Sequence, residues 1–153
     1  MVQRTEQHQI RKNHPAWKLI DDYCFRSKNL YNFANYQIRQ EFIHNGKWLR
    51  YKDVFNLVKN GDDYKNLGSN LGQQTLRLLD KNWTSFFASI KDWKKNPSKY
   101  LGRPRLPKYK NKEKGRYFLG LDEKYGTCSG KKHVLFYQWN TERCVRYVVE
   151  AKT

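Results

Sequence analysis

The chain has 153 residues, with 31 Lys/Arg against 14 Asp/Glu, a formal net charge of +17 and 38% apolar residues. That length allows one or two compact units, and the five Trp, eleven Tyr and eight Phe offset the low apolar fraction because each buries a large area. This argues against wholesale disorder, and the charge favours a polyanionic partner.

Residues 2–10, VQRTEQHQI, alternate weakly and predict an edge strand. His14-Pro15 then opens a helix, with proline in the first turn, where its missing N–H is harmless. Trp17, Ile20, Cys24, Ser27, Tyr31, Ala34, Ile38 and Phe42 recur every three or four residues and form one face of it. Asn45-Gly46 ends it. A short helix is expected over Lys52 to Asn60, stopped by Gly61, and one further turn over Asp62 to Leu67. LGSNLG reads as a helix-entry loop, with Ser69 capping a second long helix. Leu76, Leu79, Trp83, Phe86, Ile90 and Trp93 form the inner stripe of that helix, and Asn96-Pro97 ends it. Matching stripes on two long helices predict antiparallel packing.

The run from Lys91 to Arg116, KDWKKNPSKYLGRPRLPKYKNKEKGR, carries eleven Lys/Arg against Asp92 and Glu113. A net +9 over these 26 residues cannot enter a core without counter-charges. A solvated linker is the bland alternative. Uniform sign, three prolines and the interleaved Trp93, Tyr100 and Tyr109 favour a nucleic-acid backbone with nearby bases. In Trp48-Leu49-Arg50-Tyr51-Lys52 the aromatics could stack on a base or pack the turn, and the sequence leaves both open. After the basic run the period changes. Tyr117–Leu121, His133–Trp139 and Arg143–Val149 read as strands.

Other chemistries have weaker signals. No GxSxG motif is present, and GSNLG lacks the lysine of a phosphate-binding loop. Cys128, His133 and Cys144 match no common zinc spacing, and reduced thiols are the plainer reading. Asp122 ends the apolar strand FLGLD, with Glu123, Glu142 and Glu150 downstream. It reads as a turn residue, or alternatively as part of a magnesium-dependent nuclease centre. A membrane-surface protein would line its cations along one face of an amphipathic helix. Here the densest charge lies in a Pro/Gly-broken loop, and no apolar run approaches bilayer-spanning length. MVQRTEQHQIRKNH has no apolar signal core, so a cytoplasmic protein without a membrane partner is expected.

Three ordered blocks carry a family resemblance: Lys28-Asn29-Leu30-Tyr31-Asn32; Gln73 to Lys81 with Trp83 and Phe86-Phe87; and Gly102-Arg103-Pro104-Arg105-Leu106-Pro107-Lys108-Tyr109-Lys110. With the opening EQHQIRKNHPAWKLID, residues 3–119 resemble the N-terminal portion of the TnpB (OrfB) transposon proteins. These are RNA-guided DNA endonucleases related to type V CRISPR effectors. The resemblance implies an α+β fold, a helical recognition insert of two long antiparallel helices within a partial wedge-type β-barrel. Residues 1–14 would give the first barrel strand, 15–96 the recognition domain, 97–116 a basic linker, and 117–153 barrel strands or a divergent or frameshifted tail.

It also implies guide RNA and target DNA as partners. Gln73, Gln74, Arg77, Lys81, Arg103, Arg105, Lys108 and Lys110 are the implied contacts, joined by Trp48 and Arg50 from the reading of the turn. The family's RuvC-like nuclease domain, with its magnesium and zinc, would follow beyond Thr153. No catalytic residue and no cofactor are therefore expected in this chain. A regulatory protein competing with a full-length relative for its guide RNA is a further reading.

Overall fold

In the computed structural model the backbone is described for residues 3–121, 133–140 and 143–151, and the side chains for residues 9–120. Helix α1 spans Trp17–Asn45 and buries Trp17, Ile20, Cys24, Leu30, Tyr31, Ala34 and Ile38. Its spacing of three and four residues makes one apolar stripe. Gly46 closes it in the left-handed region at φ 66°, its N–H donating to Phe42 O at 3.0 Å. That conformation costs a side chain energy and suits glycine.

Helix α2, Tyr51–Val58, starts where Asp53 Oδ2 accepts the Arg50 N–H at 3.1 Å. Helix α3 is Asp62–Leu67 and α4 is Ser69–Lys95. Ser69 is the first residue of α4 and does not cap it; Gly68 holds the cap position without a side-chain bond. Gly72 lies inside the helix. A β-carbon there would sit 2.5 Å from Tyr64 Cε2, so LGSNLG also provides the close approach of α3 to α4.

The two long helices run parallel, which corrects the antiparallel expectation. Ser27 Oγ lies 3.0 Å from Thr75 Oγ1, Asn35 bonds Trp83 at 3.0 Å, and the Phe42 and Phe87 rings are 5.4 Å apart. Positions on both helices rise together along the contact. The connector explains why. Helices α2 and α3, of 8 and 6 residues, rise about 21 Å at 1.5 Å per residue. That carries the chain back beside the first half of α1, where Arg26 Nη1 donates to Asn66 O at 3.0 Å. The core between the helices centres on fully buried Trp83, set edge-on to Phe42 and Phe86.

The expected α+β fold with a partial wedge-type barrel is also corrected. The described residues are mostly helical and form no barrel. Its strands β1 (Gln3–Ile10), β2 (Leu119–Leu121), β3 (His133–Asn140) and β4 (Arg143–Ala151) pair antiparallel in the open order β1-β4-β3-β2. Closure needs enough strands of matched length and tilt. Here β2 has only three residues, and it stays at the edge opposite β1. Tyr117, Leu119 and Ile10 join the helical core, so both edge strands abut the helices. No helix among the described residues is long and apolar enough to cross a membrane.

Candidate nucleic-acid interface

The basic segment is docked along α1. After α4, the chain turns through a short 3-10 turn at Pro97–Lys99 and runs back antiparallel to α1. Irregular backbone needs partners for its carbonyls, and α1 supplies them from side chains. Asn35 Nδ2 and Arg39 Nη1 both donate to Pro107 O at 3.0 Å. Tyr31 Oη donates to Lys108 O at 3.1 Å. Asn32 pairs with both backbone groups of Lys110: its Nδ2 donates to the carbonyl at 2.9 Å and its Oδ1 accepts the N–H at 2.8 Å. Lys28 Nζ donates to Lys112 O. Near the far end Arg116 grips Asp21 with two bonds of 2.5 and 3.0 Å, and the Tyr117 N–H donates to Cys24 O at 3.0 Å.

These donors fall at positions 28, 31, 32, 35 and 39, one continuous helix face. They make residues 103–118 a strap held by its backbone. Lys28 is buried with its ammonium 3.8 Å from the Phe25 ring centre. Burial, then the nearby Arg116, lowers its pKa. Burial likewise raises the phenols of Tyr31 and Tyr117, which stack 4.3 Å apart.

The entry to the strap is clipped by Asp92. Its carboxylate accepts from Tyr100 Oη at 2.6 Å, Lys99 Nζ at 3.0 Å and Asn96 Nδ2 at 3.3 Å. The Tyr100 bond above all, then those from Lys99 and Asn96, hold Asp92 down at about 2 from the ordinary 3.8. A carboxylate depressed in the fold stabilises it above its unfolded pKa and loses that contribution as pH falls through the folded value. The Tyr100 ring resonances are therefore expected to shift as pH falls from 3.8 to about 2. The shift should be absent in Asp92→Asn, as NMR titration would show.

With the backbone tied down, the strap side chains divide. Pro104, Leu106 and Pro107 are half-buried, while Arg103, Arg105, Lys108 and Lys110 are exposed. Two grooves flank the exposed set. The larger, about 700 Å³, has a floor of Phe42, Phe86, Phe87, Ile90 and Leu106. Its rim is Arg39, Lys94, Arg103, Arg105 and Lys108. The smaller, about 350 Å³, brings Asn82, Ser85 and Ser89 of α4 opposite Arg105, Lys108 and Lys110. Neither lining contains a carboxylate. The side chains of Lys94, Arg103, Arg105 and Lys108 have no acidic partner among the described residues. Such a surface concentrates positive potential and suits phosphates.

The other expected contacts divide as well. Gln73, Arg77 and Lys81 step by four along α4 and lead to Ser85 in the smaller groove. Arg77 and Lys81 are exposed, with Arg77 5.7 Å from the Tyr51 ring centre. Gln74 is half-buried beside β2, where a β-carbon placed on Gly120 would lie 3.6 Å from its Cβ. Trp48 and Arg50 sit apart from the grooves. Trp48 packs on Phe87 at 4.6 Å, and Arg50 lies 4.3 Å over the indole while bonding Asp80 at 3.2 and 3.3 Å. Trp48 thus packs the turn against α4.

Arg39, Phe42, Ile90, Lys94, Asn82, Ser85 and Ser89 were missed as site residues. A usable signal existed for the strap: Lys28, Tyr31, Asn32 and Asn35 are polar residues on or beside a buried stripe, and such groups need partners.

Asp122, Glu123, Cys128 and Glu142 lie outside the described residues. His133 pairs with Glu150 and Cys144 with Trp139, at opposite ends of the β3–β4 ladder. Six positions at about 3.3 Å each put those two backbones too far apart to share one zinc ion. Among the described residues no cluster of three His, Cys, Asp or Glu could hold a metal. Compared with known proteins, the chain matches no family model and no curated protein.

Proposed function

We propose that this chain binds the sugar–phosphate backbone of an RNA-containing duplex, as the recognition part of a TnpB-like system for RNA-guided DNA targeting. One observation carries the reading. Six cations, Arg39, Lys94, Arg103, Arg105, Lys108 and Lys110, border two adjoining grooves that contain no carboxylate. The Gln73–Arg77–Lys81 row extends that surface along α4. The resemblance of residues 3–119 to the N-terminal portion of the TnpB proteins supplies the duplex and its RNA strand. Charge read at this density recognises backbone and not sequence, so specificity would come from guide pairing.

The test is affinity for an RNA–DNA hybrid across a salt series. Six neutralised phosphates predict that log Kobs falls with log salt at a slope of roughly −5. Absence of binding at low salt, or a flat dependence, overturns the reading.

A further inference from the structure

We infer that the larger groove holds one unpaired nucleotide of the bound nucleic acid, a role beyond the duplex-backbone contact on which the inference rests. The two grooves differ in chemistry although they share Phe86, Pro104, Arg105 and Lys108. The smaller offers hydroxyls, an amide and cations, which suits phosphate and sugar oxygens. The larger has an apolar floor that phosphates do not need. Phe42, Phe86, Phe87 and Ile90 are all half-buried, so their outer surfaces face the groove.

Phe86 and Phe87 meet at 59° with centres 5.1 Å apart, and Trp83 backs both at 5.9 and 6.0 Å. That aromatic wall is held in place before any ligand arrives. A base inside a duplex has both faces covered by neighbours and cannot reach such a wall, whereas an unpaired base can. The volume, about 700 Å³, lies within the range of small-molecule sites and accepts a nucleotide.

The rim fixes which occupant fits. Arg39 spends one N–H on Pro107 O and lies 4.8 Å from the Tyr109 ring centre, leaving further donors. Lys94 stands on the α4 side, and Arg103, Arg105 and Lys108 on the strap side. An uncharged apolar ligand would leave these five cations unused, whereas a nucleotide places its base on the floor and its flanking phosphates on the rim. Arg105 and Lys108 border both grooves, so the strand leaving the larger one enters the phosphate surface directly.

The experiment compares a blunt RNA–DNA hybrid with the same hybrid carrying a two-nucleotide overhang on either strand, with 2-aminopurine as the overhanging base. The wild-type chain is expected to prefer one overhang about tenfold, the worth of one stacked base, and to quench its fluorescence. Ile90→Glu and Phe86→Ala should each abolish both the preference and the quenching. Equal wild-type affinity for blunt and overhanging hybrids, without quenching, overturns the inference and leaves the duplex reading standing. Absence of binding to every hybrid overturns both. Because the wild-type comparison decides alone, a variant that fails to fold does not obscure the result.

Discussion

Replacing Arg103, Arg105 and Lys108 together by alanine is expected to lower affinity for an RNA–DNA hybrid about 100-fold near physiological salt. The same change should flatten the salt slope by about two to three. All three side chains are exposed and border the larger groove, and none has an acidic partner among the described residues. Their removal therefore breaks no ion pair of the fold, and thermal stability should change little. A second triple variant, Lys12→Ala, Lys18→Ala and Lys65→Ala, removes the same charge from exposed positions outside both grooves. It should cost less than about fivefold, because scattered charge contributes only long-range attraction that salt screens. Equal losses in the two triples, measured by anisotropy titration, would mean that total charge and not the strap governs binding.

The second large effect falls on stability. Asn35 is fully buried and joins three parts of the molecule: it accepts from Trp83 Nε1 on α4 and donates to Pro107 O on the strap. Asn35→Leu keeps the number and branching of the side-chain heavy atoms and removes both bonds. The indole N–H is then buried without an acceptor, a cost of about 1–3 kcal/mol, and the lost strap bond adds about 1 kcal/mol. Pro107 O keeps the Arg39 guanidinium, which limits the strap's share. The expected loss is about 2–4 kcal/mol by chemical denaturation. Adding Trp83→Phe removes the stranded N–H but leaves a smaller ring. The double variant should therefore lose less than the sum of the two single ones.

How much of this was legible in the sequence depended on where the information lay. The spans of α1 and α4 follow from apolar spacing, and Gly46 and Asn96-Pro97 mark their ends, all local signals. Their mutual direction is not local. It depends on how far α2 and α3 carry the chain back, and matching apolar stripes are equally compatible with either sense. The wedge-type barrel came from the resemblance, and a three-residue β2 at the sheet edge cannot provide its closure.

The candidate site divides the same way. Arg103, Arg105, Lys108 and Lys110 stand out as a uniform charge run broken by proline, and the structure brings them together. What holds them is only half legible: polar Lys28, Tyr31, Asn32 and Asn35 on or beside the α1 stripe call for partners, but those partners are backbone carbonyls of Pro107, Lys108, Lys110 and Lys112. Backbone groups leave no residue-type signature of their own. The aromatic floor looked like ordinary core at helical spacing. Phe86 and Phe87 do pack Trp83, and their outer edges become a groove only because the strap crosses beside them. Trp48 and Arg50 form an aromatic–basic cluster away from the grooves, and its cation pairs with Asp80.

On this reading the docked strap and the adjoining face of α4 form the nucleic-acid surface. Lysine footprinting tests it most directly: acetylation of the chain, free and bound to an RNA–DNA hybrid, quantified residue by residue. Strong protection is expected at Lys94, Lys108 and Lys110, partial protection at Lys81, and none at Lys12, Lys18 or Lys65. Unchanged reactivity at Lys94, Lys108 and Lys110 in a saturated complex would contradict it.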